Sequence, residues 1–275
     1  MTSLIKSRLS GAVLLLSSLQ FGFAQSDTNL LTFVFGPPLT PVWDISGTYQ
    51  ITNRLQGDKF LPKHVIFRDL WLSVDAKGKV QGAGTIRTWV NDDWTTGDYK
   101  VSGKVSGGGE KTQVQFTIKY KGNGIVAGVA TTCKVGANYN LTILPGPPAT
   151  MAGKETGRAQ FSNLDDGDLT SNITLPLPPG ADGRWNVELK LAGSQKKLSG
   201  SAVVLVNSTP TNTTTTLATK VSGNMPDQSV GAKMKLSGYG YSSGTKLNLE
   251  FTPIPGVTNP PAKVDGKVLG QNVKN

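Results

Sequence analysis

Strict alternation of apolar and polar residues is the feature that most constrains this chain. It is clearest in three segments, Gln113–Tyr120, Trp185–Leu191 and Lys246–Phe251. Successive side chains of a strand point to opposite faces, so apolar residues two apart share one face of an extended strand. Such strands are typical of antiparallel sheets with one buried and one wet face. No long segment shows a helical period, and the alternation therefore predicts an all-β fold.

Glycine-rich and proline-rich segments separate the alternating stretches. The 275 residues include 33 glycines, and Gly, Asn and Asp tolerate the positive φ of tight turns. The predicted turns are Asp75–Gly78, Gly107–Gly109, Lys121–Gly124, Asp182–Gly183 and Ser242–Gly244. Proline donates no ladder hydrogen bond, so three segments should lie outside central strands: Leu144–Pro148, Pro176–Pro179 and Pro253–Pro261. We predict antiparallel hairpin or meander sheets with a sandwich-like or barrel-like shape.

A short signature, an apolar residue followed by a polar residue and glycine, recurs along the chain. It occurs at Ile45–Gly47, Val80–Gly82, Val101–Gly103, Leu198–Gly200, Leu236–Gly238 and Val264–Gly266. We expect one hairpin per repeat, with the glycines mostly in turns or at strand ends.

A longer self-match pairs Lys100–Thr117 with Lys235–Thr252 without a gap, and seven of 18 positions are identical. It favours two tandem related β units, 42–156 and 157–275, preceded by an N-terminal extension over 25–41. The alternative is that any two hairpins with glycine turns look alike.

The first 24 residues have the composition of a secretory signal peptide. Lys6 and Arg8 precede the apolar run Gly11–Leu16, and small residues occupy Gly22 and Ala24, the positions that a signal peptidase reads. We expect cleavage before Gln25. The apolar run is shorter than the ~20 residues that span a membrane, so no transmembrane helix is expected, and we predict a secreted or periplasmic protein.

A single histidine, His64, and a single cysteine, Cys133, narrow the chemistry further. Zinc sites and disulfide frameworks need several such residues, and His64 is the only base available to a Ser–His hydrolase. A chain that is exported yet has no internal disulfide fits a bacterial envelope or extracellular protein. The oligomeric state cannot be deduced from the sequence.

Positive charge is spread thinly along the chain. There are 28 Lys and Arg against 18 Asp and Glu, and loss of the two cations of the signal peptide leaves 26 − 18 = +8. We expect weak attraction to anionic envelope material or acidic glycan through the summed field. Nucleic acid is not an expected partner, because the chain lacks a concentrated basic and aromatic module.

Two aromatic groups are candidate ligand-binding sites. Trp89 and Trp94 flank Asp92 and Asp93, and this combination suits a sugar because rings stack on its apolar face while carboxylates accept hydrogen bonds from its hydroxyls. The alternative for the acids is a solvated hairpin turn. Tyr239 and Tyr241 lie two residues apart and are expected to share a strand face, as an aromatic platform or as cross-strand packing.

Asp165, Asp166 and Asp168 surround Gly167 and form a weak candidate calcium site, because Ca²⁺ prefers hard oxygen ligands. The segment lacks the complete EF-hand spacing, and the alternative is an ordinary acidic turn. No other cofactor is expected.

Two functional hypotheses remain. The first is an exported, non-enzymatic binding or structural protein that contacts glycan. The second is a carbohydrate-active hydrolase that uses paired carboxylates, with Asp93 or Asp98 and a second acid that the sequence does not identify.

Alanine at Asp92, Asp93 and Asp98 separates the two hypotheses. If the protein only binds glycan, we expect the triple variant to keep that binding, and neither the wild type nor the variant should hydrolyse the glycan. Glycan hydrolysis by the wild type that disappears in the variant would support the hydrolase.

Overall fold

The structure is a computed structural model. It describes residues 31–35, 41–54, 64–90, 93–126, 128–163, 165–194, 197–208, 213–224, 233–254, 257 and 260–274. The predicted signal peptide and the site of its cleavage lie outside these residues. No helix in the described part of the chain is long and apolar enough to cross a membrane.

The described residues form seventeen strands and one 3₁₀ turn, Gly109–Lys111. In chain order the strands are β1 (Leu31–Phe35), β2 (Val42–Trp43), β3 (Gly47–Arg54), β4 (His64–Val74), β5 (Lys79–Val90), β6 (Asp93–Ser106), β7 (Gln113–Val126), β8 (Val129–Leu144), β9 (Thr150–Phe161), β10 (Gly167–Pro176), β11 (Asp182–Ser194), β12 (Lys197–Ser208), β13 (Thr213–Asn224), β14 (Met234–Tyr239), β15 (Lys246–Phe251), β16 (Ala262–Val268) and β17 (Gln271–Lys274).

The first sheet is an antiparallel meander of eight strands, β3 to β10, in which each strand pairs with the next along the chain. The outermost strands, β3 and β10, lie against each other, so the sheet curls into a barrel-like shape. Its inward side chains form a continuous apolar core that includes the fully buried Ile118, Leu141 and Ile143. The prediction of an all-β fold of antiparallel meander sheets is confirmed.

The second sheet is a meander of β11 to β17 that is extended at one edge by β1 and β2. Both of these strands pair with β11, β1 along Val187–Leu191 and β2 along Asp182–Gly183. The inward residues of this sheet form a second core, which includes Trp185, Leu189 and Val204.

The two sheets are joined through β2 and β17. Val42 is buried in the core of the second sheet, whereas the adjacent Trp43 is buried in the core of the first. The side-chain amide of Gln271 donates to the Trp43 carbonyl at 2.8 Å and accepts from the Trp43 N–H at 2.9 Å. The N–H of Asn272 also donates to the carbonyl of Gly107. The side-chain bonds of Gln271 thus hold β17 against β2, and the backbone bond of Asn272 holds β17 against the first sheet.

Five of the six glycines of the recurring signature lie inside strands, so the expectation of turns or strand ends was wrong for them, whereas Gly47 begins β3. Gly82, Gly103, Gly200, Gly238 and Gly266 all face inward from β5, β6, β12, β14 and β16. A Cβ at any of them would lie closer than 3.0 Å to a carbonyl oxygen of the neighbouring strand, which real Cβ atoms do not approach. Only glycine permits such a close approach, and glycine bends of this kind allow a sheet to curl.

Turn predictions are confirmed at Asp75–Gly78, Gly107–Gly109 and Ser242–Gly244. The one at Lys121–Gly124 is wrong, because the pairing of β7 with β8 continues through these residues to Val126 and Val129. Gly122 there leaves space for the Tyr120 hydroxyl, which a Cβ would overlap.

The predicted turn at Asp182–Gly183 is also wrong, because these residues begin β11 and pair with β2. Within the described residues, the prolines of these three segments lie outside central strands as predicted, although Leu144 ends β8 and Pro176 ends the edge strand β10.

The two sheets divide at residues 177–181, whereas the boundary predicted between the tandem units, 156, falls within β9. Both segments of the self-match form hairpins, but their registers differ. Gly103 pairs with Phe116, whereas Gly238 pairs with Leu247 and not with Phe251. The division into duplicated units therefore stays a prediction.

Replacement of an inward glycine by valine should destabilise the fold. We expect Gly200→Val to lower the free energy of unfolding by about 1–3 kcal/mol, because the new side chain collides with the Lys190 carbonyl. Gly136→Val is the matched control, since a Cβ at this exposed strand position meets nothing within 4 Å and valine favours strands. Chemical denaturation of both variants measures the difference, and equal effects would contradict the role assigned to the inward glycines.

Candidate functional site

A row of uncharged polar residues crosses the outward face of the first sheet. Residues that pair across neighbouring strands lie side by side, so the registers of β4 to β10 define the row. We call it the polar row, and its members are Ser73, Gln81, Ser102, Thr117, Asn138, Thr156 and Thr170. Every member is exposed or half-buried, and all carry hydroxyl or amide groups.

The middle of this row forms the floor of a shallow depression of about 610 Å³ that spans β6 to β9. We call it the polar depression. The residues lining it are Ser102, Gly103, Lys104, Gln115, Phe116, Thr117, Asn138, Tyr139, Asn140, Lys154 and Thr156. These described residues supply amide, hydroxyl and ammonium groups but no carboxylate.

Hydrogen bonds between side chains hold two amides of the depression in place. The Thr117 hydroxyl donates to Asn138 Oδ1 at 2.9 Å, and Gln115 Nε2 donates to Asn140 Oδ1 at 3.4 Å. Each asparagine thereby uses its carbonyl oxygen within the sheet and keeps its NH₂ group as a donor. The depression therefore presents oriented hydrogen-bond donors before any ligand arrives.

An ordered interior row lies beneath the depression. Gly103, Phe116, Tyr139, Glu155 and Ser171 are successive cross-strand partners from β6 to β10. The rings of Phe116 and Tyr139 stack with their centroids 4.5 Å apart and their planes at 17°. The strands that carry this interior row also carry the outward side chains of the depression at the neighbouring positions. Packing of the interior row therefore fixes the backbone from which those outward side chains project.

Glu155 is a fully buried carboxyl group at the end of this interior row. The Tyr139 hydroxyl donates to its Oε1 at 2.5 Å, and the Ser171 hydroxyl donates to its Oε2 at 2.9 Å. Burial raises the pKa of Glu155, and the two hydrogen bonds only partly oppose this shift.

Sequence analysis missed both Glu155 and the polar row. The sequence Gly153-Lys154-Glu155-Thr156-Gly157 places glycine at the two inward positions beside Glu155, and both glycines closely approach β8. A lone carboxylate between inward glycines is a signal that could have identified Glu155. The polar row has no comparable signal, because its members come from seven different strands.

The predicted tryptophan and aspartate site falls at the end of the β5–β6 hairpin. The backbone places Trp89 opposite Trp94 and Val90 opposite Asp93. Asp92 lies outside the described residues, and the side chains of Trp89, Asp93 and Trp94 are not described. Their contact with a sugar stays a prediction.

Asp98 is exposed on β6 opposite Thr85. The Thr85 hydroxyl donates to Asp69 at 3.5 Å, and Asp69 adopts a φ of 49° where β4 bulges. Asp69 and Asp98 are thus both neighbours of Thr85.

Tyr239 and Tyr241 are in contact, although only Tyr239 lies on a strand and Tyr241 occupies the following turn. Their rings meet edge to face, with centroids 5.1 Å apart and planes at 84°. Tyr241 is 86% exposed, and the ammonium group of Lys246 lies 5.4 Å from the Tyr239 ring centroid. The pair forms an exposed aromatic surface on the second sheet, away from the polar depression.

Of the three aspartates proposed for calcium, Asp165 and Asp166 lie between β9 and β10, and Asp168 is the second residue of β10. The carboxylate of Asp166 forms an ion pair with Arg158 Nε at 3.3 Å and accepts a hydrogen bond from the Phe161 N–H at 3.4 Å. The carboxylate of Asp168 lies 4.0 Å from the same Arg158 nitrogen. Asp165 is exposed. Among the described residues, no group of three or more His, Cys, Asp or Glu side chains is arranged to hold a metal ion, and the geometry favours the acidic turn.

No protein-family model, curated protein sequence or solved structure matches the chain significantly.

Burial of Glu155 should make stability fall as pH rises. The folded protein retains a proton on Glu155 at pH values where the unfolded chain has released it, because the pKa is raised in the folded state. The free energy of unfolding should therefore decrease from the ordinary glutamate pKa upward to the raised value. Glu155→Gln should remove this decrease, and thermal unfolding from about pH 4 to about pH 9 measures it.

Glu188→Gln is the matched control, because Glu188 is only half-buried on β11. We expect this variant to retain the pH dependence of the wild type. Superimposable pH profiles of the wild type and Glu155→Gln would contradict the assignment.

Proposed function

We propose that the protein is an exported, non-enzymatic binding protein of the bacterial envelope or extracellular space, and that the polar depression contacts glycan. The observation that carries this proposal is the polar row, which places oriented hydroxyl and amide groups side by side on a curled sheet. The sequence of residues 1–24 supports export, and the absence of a second cysteine supports a fold that needs no internal disulfide.

Hydroxyl and amide side chains match the chemistry of a sugar. A sugar hydroxyl both donates and accepts hydrogen bonds, as do Ser, Thr, Asn and Gln side chains. The NH₂ groups of Asn138 and Asn140 donate from the floor, while Lys104 and Lys154 supply donors from β6 and β9. Such a surface recognises a ligand rich in acceptor oxygens.

The shape of the depression favours a chain over a small molecule. It is shallow and crosses four strands, which lie about 4.8 Å apart. A sugar polymer laid across the strands would meet a new hydroxyl or amide group at each strand. Small-molecule sites are instead clefts or cavities that bury most of the ligand surface.

The composition of the depression also supports binding over hydrolysis there. Glycosidases use two carboxyl groups that flank the scissile bond, and none of the described residues that line the depression has a carboxylate. The hydrolase hypothesis places its acids elsewhere, at Asp93 or Asp98, and it remains the alternative.

Removal of the two amides on the floor should weaken binding. We expect glycan-array binding, with and without Ca²⁺, to identify a ligand. We also expect the Asn138→Ala, Asn140→Ala double variant to bind that ligand about thirtyfold more weakly, because two hydrogen bonds worth roughly 1 kcal/mol each are lost. Calorimetric titration of the wild type and the variant with the identified glycan measures this change.

Asn123→Ala is the matched control. Asn123 accepts from the Thr132 hydroxyl at 2.9 Å, the same cross-strand pairing on the same two strands, but it does not line the depression. The affinity of the Asn123→Ala variant for the glycan should stay within about twofold of that of the wild type. Equal losses in both variants, or no glycan bound at all, would contradict the proposal.

A further inference from the structure

Four lysines of the second sheet, dispersed in the sequence, lie in one row on its outward face. Following the registers from β11 to β16 gives the lysine row, whose members are Lys190, Ser201, Lys220, Tyr239, Lys246 and Lys267. All six are exposed. With strands about 4.8 Å apart, the row extends about 24 Å across the sheet.

The charges of this row are not neutralised within the described residues. Lys246 and Lys267 lie directly opposite each other, an arrangement in which like charges repel. The ion pairs of the described residues involve Arg158, Lys233 and Lys235, and none involves a lysine of this row. A row of unpaired cations is complementary to an anionic chain of similar length.

A second row, beside the lysine row, has small side chains that can form hydrogen bonds, and we call it the serine row. Ser199, Ser222, Ser237 and Asn248 are successive partners on β12 to β15, and all are exposed. Asp265 continues the row on β16. The short side chains leave room for a ligand that lies against the lysines, and the three serines offer hydroxyl groups to it, whereas the carboxylate of Asp265 limits the anion-binding part of the row to β12–β15.

An aromatic surface interrupts the lysines between Lys220 and Lys246. Tyr239 occupies that position in the row, and the exposed Tyr241 ring packs edge to face against it. The apolar face of a sugar ring can stack on such rings, whereas a simple polyanion gains nothing from them. The combination of cations, hydroxyls and exposed aromatic rings therefore points to a sugar polymer that carries negative groups.

We propose that the lysine row binds an anionic polysaccharide laid across the strands of the second sheet. Its negative groups contact Lys190, Lys220, Lys246 and Lys267, its hydroxyls contact the serine row, and one sugar face packs on Tyr239 and Tyr241. This surface is separate from the polar depression and does not depend on the function proposed for it.

Dextran sulfate and dextran test this proposal, because they share a sugar backbone and differ in charge. The protein should bind dextran sulfate, and the triple variant Lys220→Gln, Lys246→Gln, Lys267→Gln should bind it about tenfold to a hundredfold more weakly, with a shallower salt dependence. The control variant carries the same lysine-to-glutamine change at three exposed lysines of the first-sheet half of the chain, Lys111, Lys119 and Lys134. Its affinity for dextran sulfate should differ from that of the wild type by less than about threefold. Equal losses would show that net charge alone is responsible and would overturn the proposal.

Tyr241→Ala distinguishes a polysaccharide from other anions. It should weaken binding of dextran sulfate several-fold and leave binding of inorganic polyphosphate unchanged, because only the sugar packs on the ring. Polyphosphate or anionic phospholipid vesicles that bind as tightly as dextran sulfate, together with no effect of Tyr241→Ala, would overturn the assignment to a polysaccharide. Loss of the lysine row should not alter binding at Asn138 and Asn140, so the two proposals fail independently.

Discussion

Close approach of neighbouring strands at inward glycines is the constraint on which the rest of the structure depends. At Gly103, Gly200 and Gly238 a carbonyl oxygen of the next strand occupies the space that a Cβ would take. Glycine lowers the local preference for a strand, yet here it allows each sheet to curl and to enclose a core of its own. In the first sheet this curl brings β3 against β10 and buries aromatic side chains together with the carboxyl group of Glu155.

The curled meanders also determine what the protein presents to its surroundings. Because every strand of a meander pairs with the next along the chain, residues far apart in sequence align in rows across the sheet. One sheet presents neutral hydroxyl and amide groups with oriented asparagines, and the other presents lysines around a tyrosine pair. Two outward surfaces with different chemistry thus arise from one architectural plan. The Gln271 amide and β2 connect the sheets that carry them.

Sequence patterns predicted the fold class well because alternation within one strand is a local property. Gln113–Tyr120 and Lys246–Phe251 were identified as strands from their own residues, and both are strands in the structure. The role of the signature glycines was misjudged, since a glycine in a turn and a glycine at a bend look alike without knowledge of the neighbouring strand. The two surfaces proposed to bind ligands were not predictable, because each depends on the registers of several strand pairs. Lysines that are dispersed in the sequence, such as Lys190 and Lys267, can be assigned to one row only once those registers are known.

An NMR titration with a glycan identified on the array tests the central claim most directly, because it locates the ligand on the protein. The side-chain amide signals of Gln115, Asn138 and Asn140 report on the polar depression, and that of Asn123 reports on the same sheet outside it. The account predicts shifts in the first three signals and none in that of Asn123. Shifts confined to the Trp89–Trp94 hairpin end, with the depression unaffected, would contradict it.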